Sequence, residues 1–155
     1  HILNQKNRKK IINKINSSIK NTYWPGRLEI CNYKSKKIIL DGSHNIDGAK
    51  KLNEFLKLRK LKPVVIFGML NNKKIEYFLN IIKSQIKEVL AIKIPNEKNA
   101  FESNHIKKIC IAQSINCKEV KNIRDALGDV INSKEKVFLI TGSLYLVGKI
   151  RKIFI

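Results

Sequence analysis

Ile75, Phe78, Leu79, Ile82 and Ile86 form the clearest helical stripe in the chain. Similar spacing recurs along its length. Ile11, Ile12, Ile15 and Ile19 fall near one face of a helix over residues 1–20, and Ala49, Leu52, Phe55 and Leu56 mark another over 48–60. Residues 103–115 read as a helix capped by Ser103. Asn122 caps a further helix with Ile123, Ala126, Leu127, Val130 and Ile131 on its buried face. Ser143–Lys152 makes a closing helix. Between these lie apolar runs too short for helices: Leu28–Tyr33, Lys37–Asp41, "PVVIFG" (63–68), "EVLAIKI" (88–94), Lys118–Val120 and "KVFLITG" (136–142). Unbroken runs such as Ile38-Ile39-Leu40 suit strands covered on both sides by helices.

Strands alternating with helices of ten or more residues predict an α/β domain with a mostly parallel sheet flanked by helices in three layers. No internal repeat, low-complexity linker or second domain is visible in the 155 residues. Ligands of such sheets collect at the carboxyl edge of the strands. The residues to inspect therefore follow Leu40, Phe67, Ile94 and Ile140.

After Leu40 comes "DGSHNIDG" (41–48). Asp41 ends the strand and is positioned to accept two hydrogen bonds from a ribose diol, since an ionised carboxylate is an acceptor with several lone pairs. Asn45 or Asp47 can cap the next helix, and His44 stands at its entrance. The competing reading is that Asp41 and Asn45 satisfy turn amides while His44 lies in solvent. After Ile140 comes "TGSLYLVG" (141–148), in which Ser143 brings a hydroxyl and free amides to a helix start, a place for an anion or for simple capping. After Phe67, "GMLNNKK" (68–74) offers Lys73 to a phosphate, although a solvated loop is the reading the residues favour. No GxxxxGK[ST] occurs, and no GxGxxG follows a strand.

The formal net charge of +20 raises the question of nucleic acid. The lysines, however, are spread along the whole chain and come without a stacking array of aromatics, so no nucleic-acid partner is expected. Lysine, isoleucine and asparagine supply 70 of the 155 residues, and their shared A- and T-rich codons account for the basic surface. No apolar stretch approaches the roughly 18 residues of a membrane span, and no secretory leader is evident, so a cytoplasmic location and no membrane partner are expected. Cys31, Cys110 and Cys117 form no CxxC, and with three scattered histidines they give no metal-ligand spacing.

One arginine breaks the lysine habit. "WPGRLE" (24–29) sets Arg27 beside the single tryptophan, Trp24, and a Pro25-Gly26 turn. Together with "LDGSHNIDGAKKLNEFL" (40–56), "VIFGMLNNK" (65–73) and "TGSLYLVGKIR" (141–151), in this order, it resembles the C-terminal domain of folylpolyglutamate synthase/dihydrofolate synthase, of the Mur ligase superfamily. The resemblance covers residues 24–151.

That resemblance implies a Rossmann-like domain over 23–155, with residues 1–22 as a lead-in from an N-terminal ATPase domain absent from this sequence. The implied enzyme is an ATP-dependent acid–amino-acid ligase that joins L-glutamate to dihydropteroate or to a reduced folate through an acyl phosphate. Its cofactors are ATP and Mg2+, both held mainly by the N-terminal domain. Its partners are ATP, L-glutamate, the pterin substrate and that domain, and a monomer is expected. Carried over by motif, Arg27 contacts ATP phosphates, Asp41 the ribose side of the nucleotide, and His44 with Ser143 the incoming glutamate; Arg27 and His44 are the catalytic candidates. Ser43 stands where the family often has alanine, and Asn72-Lys73-Lys74 where acidic residues commonly flank the lysine. Alone, residues 1–155 are expected to be inactive. A related ligase for another amino acid, or a non-catalytic small-ligand module, would share the fold.

Overall fold

The computed structural model describes residues 25–154; the helix expected over 1–20, the lead-in over 1–22 and the packing of Trp24 lie outside the described residues. The described residues begin with β1 (Glu29–Tyr33), β2 (Lys36–Leu40), α1 (Ile46–Leu58), β3 (Val64–Phe67), α2 (Ile75–Ile82) and a 3-10 turn (Lys83–Gln85). They continue with β4 (Glu88–Ala91), α3 (Ser103–Ala112), β5 (Cys117–Glu119), α4 (Ile123–Asn132), β6 (Val137–Thr141) and α5 (Leu144–Phe154).

The strands lie in the order β1-β2-β6-β3-β4-β5. β1 and β2 form an antiparallel hairpin around Lys34 and Ser35, both at positive φ (47° and 62°), which matches the twist of the paired strands. All the other pairings are parallel, with Leu40 opposite Ile140 and Phe67 opposite Thr141. This is the expected mostly parallel sheet.

Its four inner strands, β2, β6, β3 and β4, are largely apolar on both faces, and alternate residues feed two cores. Ile39, Val65, Phe67 and Leu139 pack with α1, α2 and α3 on one side. Ile38, Leu40, Ile66 and Ile140 pack with α4 and α5 on the other. The sheet is thus the middle of three layers.

Asn45 and Asn122 cap α1 and α4, their side chains accepting the amides of Gly48 (2.8 Å) and Asp125 (2.9 Å). Ser103, by contrast, is not a cap. Glu102 occupies the N-cap position of α3 without a side-chain cap bond, and the Ser103 hydroxyl lies 3.3 Å from a carboxylate oxygen of Glu119. The run expected over 88–94 pairs only as far as Ala91, because β3 ends at Phe67 and β5 at Glu119 and leaves no partner beyond them.

From β2 the chain passes through α1 to β3, leaving between them a gap that β6 later fills by way of α4 on the opposite face. Crossovers diverging to opposite faces open a crevice at the carboxyl ends of β2, β6 and β3. Three of the four edges singled out in the sequence meet there.

Candidate functional site

Residues 41–44 leave β2 in a loop fixed to its neighbours by the backbone. The Ser43 carbonyl accepts the Gly142 amide at 3.1 Å, tying this loop to the one after β6. The Gly42 amide donates to the Gly26 carbonyl at 2.7 Å, tying it to the loop that carries Arg27. Three loops far apart in sequence thereby form one surface.

His44 is half-buried, and its Nδ1 lies 2.9 Å from the Gly42 carbonyl. A carbonyl only accepts, so Nδ1 donates, and the neutral ring keeps its lone pair at Nε2. Ser143 is 3% exposed, and its Oγ accepts the Tyr145 amide at 3.1 Å, capping α5. The capping alternative for Ser143 is therefore real, yet an accepting hydroxyl can still donate its own proton to a ligand.

His44 and Ser143 line one cavity of about 240 Å3 with Leu70, Lys73 and Tyr145. Lys73 is half-buried there rather than fully exposed on a solvated loop. Lys73 and His44 also line an adjoining cavity of about 280 Å3 with Asn45, Asp47 and Asn72. A cation, an imidazole lone pair and a hydroxyl facing a small space suit a ligand that bears both carboxylate and amine. A larger cavity of about 560 Å3 lies at the opposite, amino edge of the sheet. Four of its five lining charges answer one another in the Lys87–Glu135 and Lys118–Asp129 pairs, which leaves only Glu88 and no cation outside a pair.

Arg27 and Asp41 stand apart from the 240 Å3 cavity. Arg27 is exposed on its loop. Asp41 is 3% exposed, its Oδ1 accepting the Ser43 amide and its Oδ2 the Leu28 amide, both at 3.0 Å. The carboxylate thus stitches the Arg27 loop to the end of β2. The sequence reading missed two further residues of this corner, Glu29 and Arg151. Their signals were faint: an acid next to the WPGR stretch, and an arginine in a chain of lysines.

Among the described residues no group of three or more His, Cys, Asp or Glu side chains could hold a metal ion. Nor is any described helix long and apolar enough to cross a membrane. The three cysteines are free. The neighbouring Cys110 thiol, with help from Lys107, holds Cys117 below the usual thiol range, whereas burial and then Glu29 push Cys31 up. A lowered pKa means more thiolate at neutral pH, so limiting maleimide should label Cys117 before Cys31 and Cys110, as peptide mapping would read directly.

Residues 27–153 match the family described as dihydrofolate synthetase, C-terminal domain. The dihydrofolate synthase/folylpolyglutamate synthase of Bacillus subtilis is 33% identical over 144 residues, covering 89% of this chain and 32% of the relative. The solved folylpolyglutamate synthase of Thermotoga maritima superposes with a TM-score of 0.76 at 28% identity, covering 92% of this chain and 33% of that one. E. coli FolC in complex with DHPP and ADP shares the fold, with a TM-score of 0.75 at 20% identity over 91% of this chain and 34% of that one. The chain spans about a third of the length of these proteins.

Proposed function

The chain belongs to the dihydrofolate synthetase C-terminal domain family, and on that premise we propose that it is the glutamate-accepting part of an ATP-dependent ligase in folate metabolism. The enzyme adds L-glutamate to dihydropteroate, to a reduced folate, or to both. One observation carries the reading: His44, Lys73 and Ser143 converge on a cavity at the carboxyl edge, linked by backbone hydrogen bonds to the loop that exposes Arg27.

In this reading Arg27 faces the phosphates of ATP bound on a preceding ATPase domain, where Mg2+ also belongs. Its planar fork makes two parallel bonds to phosphate oxygens and offsets charge that develops as the substrate carboxylate takes the γ-phosphoryl group. Asp41 serves the nucleotide side by holding the Arg27 loop, and direct contact with a ribose would use the lone pairs left on its oxygens. Lys73 and the Ser143 hydroxyl take carboxylate oxygens of glutamate. Nε2 of His44 takes a proton from its ammonium, freeing the amine lone pair. The amine then attacks the acyl phosphate carbon; the C–N bond forms, the C–O bond to phosphate breaks, and inorganic phosphate leaves carrying the second amine proton on its departing oxygen. Closure of the two domains keeps water from the acyl phosphate.

The test is ADP release by the enzyme that carries this domain, with dihydropteroate or a reduced folate present. A rise that depends on L-glutamate and fails with other amino acids supports the reading; equal rates with and without glutamate contradict it. Lys73→Met should raise KM for glutamate about 10-fold while changing kcat little, as expected for loss of one charged contact made equally in ground and transition states.

A further inference from the structure

Glu29 is a carboxylate with 5% exposure, and the chemistry above does not use it. Its Oε2 accepts the Gly26 amide at 2.8 Å. Its two oxygens lie 3.1 and 2.9 Å from Nε of Arg151, on α5. On the other side of Arg27, the Leu28 amide donates to Asp41 at 3.0 Å. The residues immediately before and after Arg27 are therefore each tied through their amides to a buried carboxylate.

Both of these flanking residues have left-handed backbone, Gly26 at φ 72° and Leu28 at φ 48°. Glycine adopts that conformation freely, but leucine does so only where its surroundings over-determine it. The Asp41 bond to the Leu28 amide, the pairing of Glu29 with Leu40 in β1–β2, and the packing of Leu28 on the core supply that constraint. The arrangement holds an exposed side chain on a fixed stem. A floppy surface arginine would need none of it, whereas pre-organisation reduces the ordering cost when an arginine meets an anion.

We propose that Glu29 and Arg151 are positioning residues for Arg27: their ion pair, opposite the Asp41 anchor, fixes the loop that presents the guanidinium to a phosphate group. The inference rests on the reading of Arg27 as the phosphate-binding residue. Glu29 touches no reacting atom and acts through the Gly26 amide. Arg151 acts at one further remove, by holding the Glu29 carboxylate in place.

The test is a double-mutant cycle on kcat in the enzyme that carries this domain, using Arg27→Ala, Glu29→Gln and the double variant. Glu29→Gln keeps an acceptor for the Gly26 amide and removes the charge that holds Arg151. Arg27→Ala should lower kcat at least about 100-fold, and Glu29→Gln about 10-fold with KM for glutamate unchanged. The double variant should be no slower than Arg27→Ala alone, because a residue acting through another has nothing left to position. A Glu29→Gln loss of equal size in both backgrounds overturns the positioning role and leaves the Arg27 reading intact. Unchanged kcat in Arg27→Ala overturns that reading and the positioning role with it. If Glu29→Gln does not fold, Arg151→Lys keeps the cycle decisive, since lysine preserves the charge but not the guanidinium geometry. It should slow the Arg27 enzyme severalfold and the Arg27→Ala enzyme not at all; no effect in the first, or an equal effect in both, overturns the proposal.

Discussion

Arg27→Lys in the enzyme that carries this domain is expected to lower kcat about 100-fold while leaving KM for glutamate within a factor of about 3. Lysine keeps the charge and loses the fork. A single ammonium cannot make two parallel bonds to phosphate oxygens, and it is more strongly hydrated than a guanidinium. The expected loss corresponds to about 2.7 kcal/mol of transition-state stabilisation. The split between the two constants follows from the layout. Arg27 stands on the loop before β1, between Gly26 and Leu28 and outside the cavity lined by His44, Lys73 and Ser143, so its removal should spare glutamate binding. Steady-state kinetics with glutamate varied at saturating ATP would show it. Unchanged turnover would remove Arg27 from phosphoryl transfer.

Gly142→Ala should cost about 3 kcal/mol or more of stability, lowering the domain's unfolding midpoint by roughly 10 °C. Two causes add. Gly142 has φ 98°, a region L-residues rarely enter. A Cβ there would lie 2.6 Å from the Gly68 carbonyl oxygen and 2.8 Å from the Phe67 ring. Both neighbours are costly to move: Phe67 is fully buried, and the Gly68 oxygen is backbone at the end of β3 rather than the tip of a flexible side chain. The matched control is Gly128→Ala, inside α4 with nothing within 4 Å of the added carbon. It should stabilise the helix by about 0.5–1 kcal/mol. Opposite signs from the same substitution, read by thermal unfolding, would confirm that close packing at the end of β6 shapes the crevice floor.

The sheet was legible because its strands are covered on both faces, so Ile38-Ile39-Leu40 and "VVIF" stand out as unbroken runs. The caps at Asn45 and Asn122 were legible because capping is local, the acceptor and the amide being three residues apart. Ends set by distant partners were not. The segment after Ala91 looks like strand, but its pairing is decided by where β3 and β5 stop. The stripe through Ile86 does run as one helix to Ile82, then tightens into the 3-10 turn at Lys83–Gln85.

The site divides the same way. His44 and Ser143 were singled out by their places after apolar strands, and the fold brings them to one cavity. Lys73 was obscured by composition: among 27 lysines, one more carries no signal until the fold half-buries it beside an imidazole. Asp41 was singled out for a ribose, yet its nearest partners are amides of Leu28 and Ser43. The Leu28 contact spans 13 residues and the Glu29–Arg151 pair 122, and no spacing rule reaches that far.

The most direct measurement of the central claim follows oxygen. Dihydropteroate labelled with 18O in its carboxylate is turned over with ATP and L-glutamate by the enzyme that carries this domain, and phosphate and product are weighed by mass spectrometry. If glutamate attacks an acyl phosphate, one labelled oxygen leaves in the inorganic phosphate for each product formed, and the product is heavier by one glutamyl unit. Unlabelled phosphate, or label released without glutamylated product, would contradict the account.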